Sequence, residues 1–277
     1  MPIGVFDSGL GGLTVLRKLQ AEMPTQAFVY LGDNQNTPYG TRDAYDVFDL
    51  TCKGVQHLFD QGCDLVIIAC NTASASALHR MQVSWLPEGR RRVLGVFVPI
   101  IEHLTQRDWG DNAAPTHTGL KNVAVFATQS TIDSGAFPRE MKFRARDVEV
   151  FGQACDGLVD AIEIGDTAMA KNLVNRHVAT LLAQLPTPQA AVLGCTHYPI
   201  VEDLFRAALP ATTRMISQPD LVASATKDYV VRHTDFSETG SVKYLTTGNV
   251  AKISGLAETF LGQKVDWQKA IMRGENV

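Results

Sequence analysis

The sequence contains no apolar run that approaches the roughly 20 residues needed to span a bilayer. It also lacks a basic and apolar leader, because a strand-like segment begins almost at once at residues 3–6. The five cysteines form an odd set without C-x-x-C spacing, which argues against a disulfide framework and a structural zinc site. We therefore expect a soluble cytoplasmic protein with reduced thiols and no membrane association.

A surplus of basic residues is also missing, since the formal net charge is -4. The one dense basic run, Arg90 to Arg92, lies beside Pro87 and Gly89 without interleaved aromatic side chains. Such a run is typical of a solvated turn, so we expect no nucleic-acid partner. The 277 residues, 45% of them hydrophobic, suffice for two compact lobes.

Short apolar segments typical of strands alternate with amphipathic segments typical of helices. The predicted strands cover residues 3–6, 27–31, 65–69, 93–98, 123–126, 148–151 and 190–194. Apolar strands separated by helices favour parallel sheets that are covered on both faces. The sequence therefore predicts the α/β class.

An internal repeat predicts two similar lobes. The segment LVIIACNT at 65–72 resembles AAVLGCTH at 190–197, and GVFDS at 4–8 resembles AVFAT at 124–128. The two pairs have nearly the same separation, which indicates two related units, each a mostly parallel sheet flanked by helices. We expect residues 1–97 plus about 212–277 to form the first lobe, and about 98–211 to form the second.

Polar side chains cluster at four predicted corners between a strand and a helix. These corners are residues 7–14, 70–74, 128–131 and 195–199. Ligands of parallel α/β sheets bind at the carboxyl ends of strands, and helix N-termini there offer free N–H groups and positive potential. The pattern predicts an anionic substrate.

Cys70 and Cys195 both follow an apolar strand and precede small polar residues, so their thiols are expected to face the crevice. Cys52, Cys63 and Cys155 are interpreted as small core hydrophobes instead. Two thiols at matching positions suit the inversion of a stereocentre, because one removes a proton from one face while the other returns one to the opposite face.

Each thiol needs help to ionise, because forming a cysteine thiolate at pH 7 costs roughly 2 kcal/mol. Asp7 is the candidate proton acceptor for one thiol, and His197 is the candidate for the other. The alternatives are that Asp7 caps the following helix and that His197 is a buried structural histidine.

The glycine-rich turn Gly9 to Gly12 supports a rival hypothesis of a nucleotide-binding dehydrogenase or regulatory module. It follows the first strand like a dinucleotide fingerprint, and Asp33 ends the second strand like the ribose-binding acid. Thr14, however, stands where the fingerprint needs a third small residue. A tight strand-to-helix turn explains the glycines equally well.

Four ordered motifs closely resemble the bacterial glutamate racemase family of the aspartate/glutamate racemase superfamily. They are GVFDSGLGGLT at 4–14, GDN with PYG at 32–40, ACNTAS at 69–74 and LGCTHYP at 193–199. The resemblance implies that two α/β lobes enclose glutamate between them and that two cysteines move its α-proton without pyridoxal phosphate or metal. It also implies supply of D-glutamate for peptidoglycan, and a homodimer is common among relatives.

The resemblance assigns Cys70, assisted by Asp7, to D-glutamate and Cys195, assisted by His197, to L-glutamate. It implies substrate contacts from Asp7, Ser8, Tyr39, Gly40, Asn71, Thr72, Thr131, Thr196 and His197. Glu163 is expected to support His197, although Asp156 and Asp160 stand where many members have proline. An aspartate racemase or a related two-cysteine isomerase is the alternative within the superfamily.

Overall fold

The structure is a computed structural model that describes residues 1–86, 88–108, 111, 113–233 and 239–272. The strands of these residues are β1 (Ile3–Asp7), β2 (Phe28–Gly32), β3 (Leu65–Ile68), β4 (Arg92–Gly95), β5 (Asn122–Ala127), β6 (Glu149–Ala154), β7 (Ala190–Gly194), β8 (Arg214–Ser217), β9 (Val242–Thr246) and β10 (Trp267–Lys269). The α-helices are α1 (Leu13–Glu22), α2 (Ala44–Asp60), α3 (Asn71–Arg80), α4 (Phe97–Thr105), α5 (Gln129–Asp133), α6 (Ala136–Lys142), α7 (Leu158–Glu163), α8 (Thr167–Gln184), α9 (Glu202–Ala208), α10 (Gln218–Val231) and α11 (Val250–Leu261). Among the helices described, none combines the length and the apolar character required to cross a membrane.

The described strands form two sheets whose pairings are parallel. The larger sheet has the order β10-β9-β2-β1-β3-β4, and the smaller has the order β6-β5-β7-β8. Alternate residues of β1 point into different cores, since Val5 packs with α1 and α11 whereas Phe6 packs with α2. Helices therefore cover both faces of the larger sheet, and the predicted α/β class is confirmed.

The predicted repeat corresponds to a repeat in sheet topology. The four-strand order β2-β1-β3-β4 of the larger sheet matches β6-β5-β7-β8 of the smaller one. In this match β1 corresponds to β5 and β3 to β7, as the two repeated segments require. Cys70 and Cys195 consequently follow equivalent strands of the two sheets.

The limits of the two lobes remain a prediction, and the strand pairing argues for one shift in them. Because β8 (Arg214–Ser217) pairs with β7, this strand stays with the smaller sheet instead of joining the first lobe at about residue 212. The chain returns to the larger sheet with α10, which packs against α1 and α4. We propose a boundary after Ser217. Trp109, Gly110 and Asn112, which come between α4 and β5, lie outside the described residues.

Candidate active site

Residues at the carboxyl ends of strands from both sheets surround one small cavity of about 110 Å³. Most of the predicted site residues line it, and these are Ser8, Tyr39, Gly40, Cys70, Asn71, Thr72, Glu163, Cys195, Thr196 and His197. The two strand-end cysteines, 125 positions apart in the sequence, thus face the same space.

Cys70 lies between the end of β3 and the first turn of α3, where it serves as the N-cap of the helix. Its sulfur accepts a hydrogen bond from the Ala73 N–H at 3.5 Å and lies 3.4 Å from the Ser8 hydroxyl oxygen. Burial raises the pKa of the Cys70 thiol to about 12, and the nearby Asp7 carboxylate adds to this rise. The helix N-terminus favours the thiolate, but the resting thiol is protonated. Another base must therefore remove its proton before Cys70 can itself act as a base.

Asp7 is the last residue of β1 and is fully buried. Its Oδ2 atom accepts a hydrogen bond from the Gly9 N–H at 2.9 Å, and no side chain of the described residues caps the N-terminus of α1. Burial raises the pKa of Asp7, while His197 and the N–H groups of Gly9 and Gly12 lower it. A carboxyl group with a raised pKa beside a thiol is suited to exchange a proton with it.

Cys195, His197 and Glu163 form a chain of contacts on the other side of the site. The His197 Nδ1 atom lies 3.8 Å from the Cys195 sulfur, and its Nε2 atom lies 3.0 Å from Glu163 Oε1. Burial opposes the charged imidazole, but the contacts with Cys195 and Glu163 outweigh it and raise the pKa of His197 to about 10. The raised pKa favours the imidazolium form of His197, which places a positive charge 3.8 Å from the Cys195 sulfur.

Replacing Glu163 with Gln is expected to lower the pKa of His197 and to change the pH dependence of stability. Because the folded pKa of His197 lies above its usual 6.5, its stabilisation is present below pH 6.5 and is lost as the pH rises towards about 10. Within that window each pH unit removes up to about 1.4 kcal/mol from the free energy of unfolding. Denaturant unfolding at several values between pH 7 and 10 should show a shallower decline for Glu163→Gln than for the parent.

The matched control for this prediction is Glu202→Gln, which removes an exposed ion pair between Glu202 and Arg206 on α9. An exposed pair of this kind contributes little to stability, so this variant should keep the pH dependence of the parent. Identical slopes for Glu163→Gln and the parent would contradict the assignment of the His197 pKa.

Asn71 offers an unusual pair of polar atoms to a ligand. Its side chain is 3% exposed, and neither its amide nitrogen nor its amide oxygen has a hydrogen-bond partner within the described part of the chain. Buried amides are normally paired, because an unpaired one costs about 1–3 kcal/mol. The position of Asn71 at the start of α3, beside Cys70, fits a contact with a polar substrate.

Thr131 lies behind the cavity wall, and its predicted substrate contact stays a prediction. Its hydroxyl oxygen lies 2.9 Å from that of Thr128 and 3.2 Å from that of Thr72. Thr72 and Thr128 line the cavity themselves, and their hydroxyl oxygens are 2.9 Å apart. Thr131 thus joins a three-hydroxyl cluster that links the two lobes, in which Thr72 comes from the first lobe and the half-buried Thr128 from the second.

Tyr39 and Gly40, for which the resemblance implies substrate contacts, form part of the cavity wall. The Tyr39 hydroxyl donates to Asp33 Oδ2 at 2.6 Å, and the same buried carboxylate accepts from the Thr247 hydroxyl at 2.7 Å. Gly40 reaches the second lobe, because its carbonyl oxygen accepts the Ser130 N–H at 3.0 Å. Asp33 therefore holds the loop in place, which is a different role from the ribose contact of the rival hypothesis.

The glycine-rich turn contacts the second lobe. A Cβ atom on Gly11 would lie 2.3 Å from Thr196 Oγ1 and 2.5 Å from His197 Nδ1. Thr14 stands where the dinucleotide fingerprint needs a small residue, and its hydroxyl donates a hydrogen bond to the Thr196 carbonyl oxygen at 3.0 Å. Because Gly11 has no side chain, Thr196 and His197 of the second lobe can pack against the glycine-rich turn. These residues fill the space that the phosphate of a dinucleotide would need.

The sequence analysis missed that Cys155 lines the same cavity. Cys155 is 3% exposed and belongs to the core of the second lobe, which agrees with its interpretation as a small core hydrophobe. Burial raises the pKa of its thiol. The signal that could have placed it at the cavity is its position directly after β6, which is a strand end like those of Cys70 and Cys195.

Two matched α/β lobes, with a thiol at the equivalent strand end of each and one cavity between them, are features of an amino-acid racemase. The chain belongs to the Asp/Glu/hydantoin racemase family, whose model matches residues 3–225.

The relatives and structural neighbours narrow this family assignment. The glutamate racemase of Roseobacter denitrificans is 54% identical over 98% of this chain and 100% of its own length, and that of Paracoccus denitrificans is 55% identical with the same coverage. The crystal structure of a glutamate racemase isoform from Bacillus anthracis superposes with a TM-score of 0.84 at 26% identity, covering 98% of this chain and 97% of that one. The Francisella tularensis glutamate racemase, solved in complex with D-glutamate, gives a TM-score of 0.85 at 25% identity with the same coverage.

Proposed function

We propose that the chain interconverts L- and D-glutamate by moving the α-proton between the substrate and two cysteines, Cys70 and Cys195. The observation that carries this proposal is that both thiols line one cavity, each following the equivalent strand of its own sheet. The choice of glutamate over aspartate rests on relatives called glutamate racemase at 54–55% identity over nearly the whole chain.

In the direction from L- to D-glutamate, the Cys195 thiolate removes the α-proton while the His197 imidazolium stabilises that thiolate beforehand. The Cys70 thiol then donates its proton to the opposite face of the α-carbon and becomes a thiolate, with Asp7 as its proton-exchange partner. One proton leaves the substrate and one arrives, so no redox step is needed. The reverse direction exchanges the roles of the two cysteines.

Substrate binding is assigned to the polar groups that line the cavity. Asn71 supplies an amide that pairs with none of the described residues, and Ser8, Thr72 and Thr196 supply hydroxyl groups. The N-terminus of α3, directly after Cys70, offers positive potential to a carboxylate. These donors would also stabilise the negative charge that spreads from the α-carbon into the carboxylate during proton transfer.

The proposal also covers the metabolic role, the cellular location and the oligomeric state of the enzyme. The family resemblance supports supply of D-glutamate for peptidoglycan, a cytoplasmic location and assembly as a homodimer.

The test is to incubate the purified protein with L-glutamate in deuterium oxide, without added cofactor. Loss of circular dichroism together with deuterium at the α-carbon of the D-glutamate product is the expected result. Parallel reactions with L-aspartate separate the alternative substrate, and added NAD should change nothing. Racemisation of aspartate without racemisation of glutamate would overturn the proposed substrate.

A further inference from the structure

A second and larger cavity adjoins the site. Its volume is about 810 Å³, against about 110 Å³ for the cavity that contains the thiols. Thr37 and Glu163 line both cavities, so these two residues form a shared wall. The Glu163 side chain is 28% exposed although its partner His197 is buried, which places this wall in contact with solvent.

The larger cavity carries positive charge. Lys252 and Lys269 line it, and neither ammonium group pairs with a carboxylate of the described residues. The Lys269 ammonium contacts neutral oxygens instead, including the Thr247 carbonyl and the Gly248 carbonyl. Glu163 is the one carboxylate among the lining residues that the structure describes, and a protonated His197, whose Nε2 atom lies 3.0 Å from Glu163 Oε1, compensates its charge.

The opposite charge occurs on another part of the inner cavity, which Asp156 and Asp160 line. A substrate with two carboxylates and one ammonium carries a net negative charge, and the chain as a whole has a net charge of -4. Such an anion is repelled by the aspartates and attracted by the lysines, and clefts lined by one sign of charge raise the local concentration of the opposite ion.

We propose that the larger cavity is the entrance through which anionic substrates reach the thiols, passing between Thr37 and Glu163, with Lys252 and Lys269 as the residues that collect carboxylates. This inference rests on the proposed function, since it needs an anionic amino acid as substrate. It assigns Lys252 and Lys269 a part in selecting the substrate by charge, without contact with the reacting atoms.

Lys252→Glu tests the electrostatic part of this inference. At low ionic strength the variant should raise KM for glutamate by about threefold to tenfold, with kcat within about twofold of the parent. The ratio of the two KM values should approach one as salt shortens the Debye length from about 30 Å at 0.01 M to about 3 Å at 1 M. An unchanged KM at low salt, or an increase that persists at 1 M salt, would overturn the proposal.

The matched control is Lys121→Glu, which makes the same charge change just before β5, at the amino end of that strand. The site lies at the carboxyl ends of the strands, about 20 Å away for a strand of six residues. This control should keep the parent KM at every salt concentration, and a rise equal to that of Lys252→Glu would count against a local effect.

Val250→Trp tests the route by obstruction, since Val250 lines the larger cavity and does not line the inner one. It should lower kcat/KM at least about fivefold while kcat at saturation is retained, and unchanged kcat/KM in a folded variant would exclude this route.

The failure of the proposed function and the failure of the proposed entrance give different results. A parent enzyme that does not racemise glutamate removes the proposed function, whereas an active parent with an unaffected Lys252→Glu variant removes only the entrance.

Discussion

Cys195→Ser is expected to lower kcat for glutamate racemisation by about a thousandfold or more, starting from either enantiomer. General acid–base groups contribute about 10²–10⁴ to rate, and a serine hydroxyl is far too weak an acid to supply the missing base at neutral pH. The loss affects both directions, because each thiol acts as the base in one direction and as the acid in the other. Circular dichroism with L-glutamate and then D-glutamate as the starting substrate measures it.

Cys70→Ser should show a loss of the same order, since the mechanism needs both thiols. Cys52→Ser, in the core formed with α2, is the control and should retain the activity of the parent. Cys155→Ser is the sharper comparison, because this third thiol lines the same cavity without an assigned proton-transfer partner, and its kcat should stay within about tenfold. Full activity in Cys195→Ser would exclude the two-cysteine mechanism.

The fold could be predicted because its strands are short, apolar and locally recognisable. Each of β1, β3, β5 and β7 lies in the middle of its sheet, where both faces are buried, so the sequence shows continuous apolar runs. The thiols follow two of these runs directly, and that local spacing is sufficient to place them at the edge of the sheets where ligands bind.

Helix α4 was not predicted from the sequence, and the reason is physical. The predicted strand at 93–98 ends at Gly95, and α4 begins at Phe97. This helix buries Phe97, Ile100 and Ile101 against the smaller sheet as well as contacting α10 of the other lobe. Its first residues continue the apolar run of β4 without a polar break, and a short apolar run does not distinguish a strand from a buried helix.

Contacts between residues far apart in the sequence could not be predicted from local sequence patterns either. The pair of His197 and Glu163 joins positions 34 residues apart, and only the resemblance to relatives suggested it. The hydroxyl cluster of Thr72, Thr128 and Thr131 spans the two lobes. Which of its members faces the cavity depends on how the lobes pack, and the spacing within a single corner does not carry that information.

Gly11→Ala is expected to lower kcat/KM by about a hundredfold while the protein remains folded. The added methyl group would lie 2.3 Å from Thr196 Oγ1 and 2.5 Å from His197 Nδ1, which is closer than real atoms approach. His197 cannot move away freely, because its other ring nitrogen contacts Glu163 at 3.0 Å. A displacement of about 1 Å in a catalytic group can cost about 10² in rate, whereas overpacking of this kind costs about 1–3 kcal/mol of stability.

Gly255→Ala provides the matched control, since Gly255 lies within α11 and a Cβ atom there would meet no atom of the described residues within 4 Å. That variant should keep the parent kcat/KM and gain up to about 1 kcal/mol of stability from better helix propensity. Steady-state kinetics and denaturant unfolding of both variants separate a misplaced histidine from a general loss of stability. If Gly11→Ala keeps the parent kcat/KM, the close approach of the glycine-rich turn does not set the position of His197, and the contact between the lobes serves packing alone.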